Sequence, residues 1–306
     1  MIFQICLKHY IESTMNIRHL HYFQQLAQLQ HFAKAANACH VTQPTLSAGI
    51  SSLEKSLGTE LVVRGSQFVA LTDAGQIMLQ YAERMLQEQA ALKQELSLFR
   101  GQLTGSLRIG IVPQSSIDIM PLIKLFNQAY PNISIKLSVM TNGQLIENLS
   151  LHKTDIGLGF DEQLTEANRR SFVFYPQRAN QMALLSCDSV DDSASQSLSL
   201  DDIGTRPLVL LSQNMQFRKY IDNAMAQAGI DFNLVLETDS LFHLIGAVKH
   251  GLGSAIVSRG IAESVSQLFG IPYQLLDGVS TGQTVFMTRK HSITPAMKAF
   301  MCQLES

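Results

Sequence analysis

The sequence has no tryptophan, few charges and only a slight surplus of acid over base. Asp, Glu, Lys and Arg make up 16% of its 306 residues and leave a net charge of −2. Such a balance does not advertise nucleic acid globally, so any DNA contact must come from a local surface. The four cysteines, Cys6, Cys39, Cys187 and Cys302, are scattered, with no C-x-x-C pair. This argues against a zinc ribbon or a disulfide framework and suits a reducing cytoplasm. No apolar run approaches the roughly 20 residues of a membrane-spanning helix. Residues 1–14 hold some apolar side chains, but Lys8, His9 and Glu12 interrupt them, so they do not read as a secretory signal.

What is present is concentrated between Phe32 and Leu61. A first short helix carries Phe32, Ala33, Ala35, Ala36 and Ala38, a small-residue surface that allows another helix to approach. After a turn through Cys39, His40 and Val41, Thr42 is suited to cap a second helix and Pro44 to its first turn. Leu46, Ile50, Leu53 and Leu57 form its apolar stripe, and Gly58 ends it. Thr45, Ser47, Ala48, Ser51 and Ser52 leave the opposite face lightly covered. This pattern predicts a helix-turn-helix, whose second helix enters the DNA major groove; the alternative is an ordinary helical hairpin.

Other segments frame this one. Leu20, Phe23, Leu26 and Ala27 predict a preceding helix, and residues 60–64 and 68–71 two short strands around Gly65-Ser66, a wing. Thr72 caps a long helix from Asp73 to about Arg100. Met78, Ala82, Met85, Gln89, Leu92, Leu96 and Phe99 recur on it at alternating steps of four and three, a heptad seam suited to pairing two subunits. Residues 101–106 read as a hinge, followed by alternating strands and helices: strands at 107–112, 133–140 and 155–160, helices at 119–130 and 144–151. The theme repeats after residue 180, with a Ser- and Asp-rich loop at 191–199, and predicts a parallel α/β domain.

The wording AA-x-x-x-HVTQPTLS-x-x-I-x-x-LE-x-x-LG-x-x-L, followed by Arg64 and LT-x-AG at 71–75, resembles the LysR-type transcriptional regulators. The resemblance implies an α/β multidomain chain with an N-terminal winged helix-turn-helix, a long linker helix and a C-terminal periplasmic-binding-protein-like effector domain of two α/β subdomains. It divides the sequence into an extension expected to be disordered (1–14), a DNA-binding domain (15–72), a dimerisation helix (73–100), a hinge (101–105) and an effector domain (106–306). Subdomain I would hold 106–177 and 277–306, and subdomain II 178–276. Chains of this pattern begin near the stretch from Asn16 to Leu20, which makes Met15 the expected start.

The resemblance also implies partners: a promoter with an A·T-rich palindromic site, a small-molecule effector, and further copies in a homodimer or homotetramer, in the cytoplasm, with no membrane and no cofactor or metal. It places Gln43, Pro44 and Ser47 at the DNA surface. Gln can read adenine, and Thr42, Thr45 and Ser51 add short polar contacts beside them. Lys34 and Arg64 match basic family positions and are candidate phosphate contacts, with a solvated surface charge as the alternative. Ala48, Ser51, Ser52, Gln67 and Ala70 stand where the family commonly has basic residues, and Gly49 weakens the helix by roughly 1 kcal/mol against alanine, which predicts weak DNA affinity per domain and reliance on dimer or tetramer avidity.

For the effector, two strand ends followed by helices, at Gln114-Ser115 and at Asn142, would bring backbone N–H groups to one crevice and favour a carboxylate-like end. From the second half, Met215, Phe217 and Thr238 are carried over by the resemblance. Each could instead cap a helix or line a core. The motif looks especially like the peroxide-sensing branch of the family, yet Gln216 and Met225 fall where its cysteine pair would stand, which argues against thiol-based sensing. No nucleophile–base pair or metal cluster supports an enzyme. An exported solute-binding protein on the same fold would leave residues 15–100 without a purpose.

Overall fold

A computed structural model describes residues 15–64, 68–161, 164–187, 197–279 and 282–304 of the chain. The extension 1–14, the wing tip at 65–67 and most of the 191–199 loop lie outside the described residues. The chain divides into two compact units that meet in sequence between Phe99 and Arg100.

The first unit opens with α1 (Ile17–Leu29), α2 (Phe32–Ala38) and α3 (Gln43–Leu57). Each starts on a side-chain cap: Asn16, His31 and Thr42 accept the N–H groups of Arg18, Lys34 and Thr45. Leu20, Phe23 and Leu26 of α1 close against Ala35, Ala36, Leu46, Ile50 and Leu53, all almost fully buried. The strands β1 (Val62–Arg64) and β2 (Phe68–Leu71) pair antiparallel. Glu54 ties β1 to α3, its Oε1 accepting the N–H groups of Leu61 and Val62 at 3.0 and 3.2 Å. Thr72 Oγ accepts the Gly75 N–H at 2.9 Å and donates to the Glu60 carbonyl at 2.7 Å, so it caps the next helix and anchors it to the wing.

That helix, α4 (Asp73–Leu98), corrects the expected seam. Met78 and Ala82 are buried in the core of the helix-turn-helix, with Met85 packed beside them. Of the seven seam residues only the last three stay open: Leu92, Leu96 and Phe99 are 55%, 53% and 89% exposed. The same heptad spacing serves two surfaces, because the first turns of α4 are needed to complete a core that three short helices cannot close.

Gly49 is also more than a weak point in α3. A methyl group there would sit 2.7 Å from the Tyr22 ring and 3.1 Å from the His19 ring, so α1 lies against the α3 backbone. Burial there also holds the His19 imidazole below its ordinary pKa, with neighbouring Arg18 adding to the effect. We expect Gly49→Ala to lower stability by about 1–3 kcal/mol through overpacking, despite alanine's better helix propensity. Urea denaturation of the full chain followed by circular dichroism measures this; an unchanged or raised midpoint would show that Tyr22 yields freely.

The second unit is built on two five-stranded sheets. The first contains β3 (Gly105–Ile111), β4 (Ile133–Val139), β5 (Ile156–Phe160), β6 (Phe172–Ala179) and, from near the chain end, β12 (Gln283–Arg289), in the order β4-β3-β5-β12-β6. Its helices are α5 (Met120–Ala129), α6 (Asn142–Ser150), α7 (Glu166–Ser171) and α12 (Pro295–Cys302). The second sheet contains β7 (Met182–Leu185), β8 (Pro207–Leu211), β9 (Asn233–Thr238), β10 (Ser254–Ser258) and β11 (Tyr273–Leu276), ordered β11-β7-β10-β8-β9. Helices α8 (Asp201–Gly204), α9 (Gln216–Ala228), α10 (Leu241–Lys249) and α11 (Arg259–Phe269) connect its strands.

In each sheet four strands run in one direction and the fifth, β12 in the first and β7 in the second, lies antiparallel between two of them. The chain passes from the first sheet to the second between Ala179 and Met182, and returns between Leu276 and Gln283. The first sheet thus keeps the chain two residues beyond the expected boundary at 177. The sequence pattern missed α7, α8, α11 and β11.

One apolar cluster joins the sheets. Val112, Leu145 and Phe160 from the first half pack with Leu208, Phe217 and Tyr220 from the second. The rings of Phe160 and Tyr220 meet edge-on at 5.5 Å. Each half also has its own core on the far side of its sheet.

Candidate DNA-reading surface and effector site

The start of α3 is the accessible face of the first unit. Gln43, Pro44 and Thr45 are exposed, Ser47 and Ser51 are half-buried, and Lys34 projects exposed from α2. Thr42 is also exposed, but its hydroxyl is engaged by the Thr45 N–H at 3.4 Å and the Thr45 hydroxyl at 2.8 Å. It therefore shapes the helix start rather than offering a free donor. Arg64 ends β1, and its side chain lies outside the described residues. A run of short polar groups at a helix start, with little around it, can approach base edges closely.

In the second unit the polar candidates converge where the two sheets meet. Loop 112–119 follows β3 and comes before α5, whose first residue is Met120. Ser115 is therefore not at a helix start, as the sequence suggested. The start of α5 is already served by a carboxylate, since Asp118 Oδ1 accepts the Met120 N–H at 2.9 Å. Ser115 instead donates its hydroxyl to the Ile117 carbonyl at 2.8 Å, a local turn.

Gln114 and Ser115 both bond across to Ser258 at the end of β10. Gln114 Oε1 accepts the Ser258 N–H at 2.8 Å, and Ser258 Oγ donates to the Ser115 carbonyl at 2.9 Å. The same hydroxyl caps α11 by accepting the Ile261 N–H at 3.4 Å. Asn180, in the crossover, donates to the Gln114 carbonyl at 3.4 Å, and Thr284 Oγ accepts the Ser116 N–H at 3.3 Å. Gly260 admits this loop: a side chain there would meet the Ser116 carbonyl at 2.6 Å.

Because the Ser258 N–H requires an acceptor, the orientation of the Gln114 amide is fixed. Its Nε2 is then left buried and without a hydrogen-bond partner among the described residues, in a side chain 1% exposed. A buried unpaired donor costs on the order of 1–3 kcal/mol, so it calls for an acceptor. Gln114 lines a small cavity of about 10 Å³ with Val112, Asn142, Phe160, Met215 and Phe217. That is room for about one water molecule.

Two helices begin at this cavity. One is α6, where Thr141 and Gln144 cap each other: Gln144 N–H to Thr141 Oγ at 3.3 Å, Thr141 N–H to Gln144 Oε1 at 3.1 Å. The other is α9, whose N-cap, Met215, provides no side-chain hydrogen bond. Its first turn is held by Arg218, 2% exposed, which pairs with Asp222 at 2.6 Å and Glu237 at 3.0 Å and donates to the Leu211 carbonyl at 2.8 Å. Helix starts carry partial positive charge and spare N–H donors.

The remaining candidates are committed elsewhere. Both polar atoms of Asn142 pair with the main chain of Phe160, at 3.0 and 3.2 Å. Phe217 is 2% exposed and packs in the joint cluster. Thr238 Oγ accepts the Ser240 N–H at 3.1 Å. Of the six residues expected at the effector site, Gln114, Asn142, Met215 and Phe217 line the small cavity, Ser115 lies in a wider adjoining cleft, and Thr238 lies in neither lining.

Residues 17–76 match the family model described as bacterial regulatory helix-turn-helix protein, lysR family, and residues 100–306 match the LysR substrate binding domain. The chain belongs to the LysR family. It is a DNA-binding transcriptional regulator with an effector-binding domain. A hydrogen peroxide-inducible genes activator of Dickeya chrysanthemi is 30% identical over 244 residues, 79% of each chain. A probable RuBisCO transcriptional regulator of Cyanophora paradoxa is 29% identical over 251 residues, 81% of this chain and 77% of that one. Among solved structures, a full-length OxyR variant from Pseudomonas aeruginosa has a TM-score of 0.72 at 22% identity and covers 95% of both chains. Full-length CbnR with its target DNA has a TM-score of 0.65 at 20% identity, covering 95% of this chain and 99% of that one. At such identities these two likenesses speak to the fold. No helix among the described residues is long and apolar enough to cross a membrane.

Sequence reasoning missed Ser258, Asn180 and Thr284 in this LysR-family chain. Each is a lone small polar residue with no motif around it, and Ser258 lies 144 residues from its partner Gln114. The only local signal was Ser258 as a helix cap, before an α11 that was itself overlooked. We expect Ser258→Ala to destabilise the second unit by about 1–2 kcal/mol, because it removes a helix cap and a buried bond between the halves. Thermal unfolding of the full chain measures it; a melting temperature within error of wild type would mean that the Ser115 carbonyl is readily satisfied otherwise.

Proposed function

We propose that this regulator acts in the cytoplasm as a homodimer or homotetramer that reads an A·T-rich palindromic promoter site through α3, and that a small molecule held between the two effector sheets shifts its DNA-bound state. The observation that carries the effector reading is the Gln114 side chain, whose buried Nε2 has no partner among the described residues, on the lining of a cavity where α6 and α9 begin. A carboxylate or similar acceptor answers both the donor and the helix starts. A ligand of this kind shifts an equilibrium only by its difference in affinity for two states. The joint cluster and the bonds through Ser258 are the contacts that opening and closing of the cleft would alter.

The named activity of the peroxide-inducible relatives does not extend here through a thiol pair. Gln216 opens α9 and Met225 is buried, and the described cysteines, Cys39, Cys187 and Cys302, are free.

For DNA, Gln43→Ala should weaken specific binding by about 1–3 kcal/mol while leaving random-sequence affinity nearly unchanged. Gel-shift titration against the chain's own upstream DNA at fixed salt tests the reading. Equal losses on both DNAs would remove Gln43 from base reading, and no specific complex with wild-type protein would overturn promoter recognition there.

The exposed stripe on α4 supports self-association. Leu92→Asp with Leu96→Asp should convert the protein to a monomer, because unpaired carboxylates are not buried at a seam. Sedimentation velocity decides. A folded double variant that still sediments as the dimer moves the interface elsewhere.

A further inference from the structure

The small cavity opens toward a wider cleft of about 770 Å³, and the two share Val112, Pro113, Thr141 and Met215 in their linings. The cleft walls are largely apolar, with Ile111, Ile119, Val139, Leu241, Ile261 and Leu268 among them. The charged residues on its lining are Asp118 and Asp239, both exposed, and no Lys or Arg is among the lining residues. The site is thus polarised. Its inner end is lined by Gln114, with its buried partnerless Nε2, and by two helix starts, and the wider cleft is lined by hydrocarbon and two carboxylates. Met215, flexible and half-buried, stands on the boundary between them.

We propose that the effector is an amphipathic monoanion. Its carboxylate head seats against Gln114 Nε2 and the starts of α6 and α9, its apolar tail lies in the outer cleft, and Asp118 and Asp239 disfavour a second anionic end. This rests on the reading of the cavity as the effector site and adds the ligand's shape and charge. The inner cavity holds about one water as it stands, so the head enters by displacing the Met215 and Gln216 side chains that line it. The apolar tail supplies the affinity that a head held by dipoles and one amide lacks. The rim acids act through exposed charges, so their effect is modest and weakens with salt.

Three probes of one length isolate the tail end: octanoate, octanedioate and 8-aminooctanoate, titrated calorimetrically into the full chain at low salt. Octanoate should bind on the order of threefold to tenfold more tightly than octanedioate, with 8-aminooctanoate also tighter than the diacid. In Asp118→Asn with Asp239→Asn, which keeps the Oδ1 acceptor for Met120, the gap between octanoate and octanedioate should close to within about twofold. Gln114→Glu keeps the acceptor for the Ser258 N–H but replaces the free donor with an acceptor, and should weaken all three by about tenfold or more. Acetate, which has no tail, should not bind measurably. Octanedioate binding as tightly as octanoate, or acetate as tightly as either, while Gln114→Glu abolishes all of them, would overturn the monoanion and tail but keep the effector site. Absence of binding at millimolar probe, or binding indifferent to Gln114→Glu in a variant that melts like wild type, would overturn the site itself.

Discussion

The effector domain depends on one constraint: neither sheet can bury the inner end of its own core alone. Phe160 at the end of β5 needs Tyr220 of α9, and Phe217 needs Val112 and its neighbours. Burying side chains of this size contributes roughly 1.5–3 kcal/mol each, so the two halves are held together by the same effect that folds each of them. The polar bonds through Gln114, Ser115 and Ser258 lie beside that cluster. They add alignment more than energy, since a net hydrogen bond contributes only about 1 kcal/mol. A carbonyl and an amide facing each other across the crossover tolerate few relative positions of the two sheets, whereas apolar contacts slide. The result is a joint that apolar burial keeps closed and a few directional bonds keep in register.

Legibility in the sequence followed the range of the interaction. The helix-turn-helix was readable because its determinants are local: Thr42 caps the helix by accepting an N–H three residues on, the stripe of Leu46, Ile50 and Leu53 repeats within one helix, though Leu57, expected to extend it, is 41% exposed, and Gly58 ends it in the left-handed region at φ 67°. The central strands β5, β8 and β10 were readable as short runs without alternation, because strands buried on both faces show none. Long-range partners left no such trace. Gly49 looked like a local weakness, while its reason, the Tyr22 and His19 rings, lies on another helix. The heptad stripe on α4 was read as one surface, although its first half completes a core. Periodicity reports that a face is apolar and not what covers it.

The effector residues show the same division. The family resemblance, together with the strand ends of the first half, pointed to Gln114, Asn142, Met215 and Phe217, and these do line one cavity. Their roles were less legible, because a side chain near a site is not thereby free to serve it. Asn142 commits both polar atoms to Phe160, and Thr238 commits its hydroxyl to Ser240. Ser115 was assigned to a helix start that the chain reaches only at Met120. What remains available is the half of the Gln114 amide that Ser258 does not use. Ser258 itself fixes which half that is, so a residue without a motif determines the donor that the cavity presents.

The first unit poses the opposite problem, since its reading surface is open and short of charge. Residues 15–72 carry four Lys or Arg against two acids, so each copy of this domain brings a surplus of two positive charges to DNA. Phosphate contacts give much of the affinity of such domains, and each neutralised phosphate also adds to the salt dependence. A domain with this surplus has little non-specific affinity in reserve, and Ala48 and Ser52, on α3, add none. Two such domains linked in one assembly gain through effective concentration what each lacks singly, provided both half-sites can be reached together. In such an assembly binding would be sensitive to the spacing of the two domains, because a small misfit would forfeit the second contact and most of the affinity with it. A weakly charged reading helix therefore strengthens the case for control through assembly geometry: an effector that changes spacing by little can change occupancy by much.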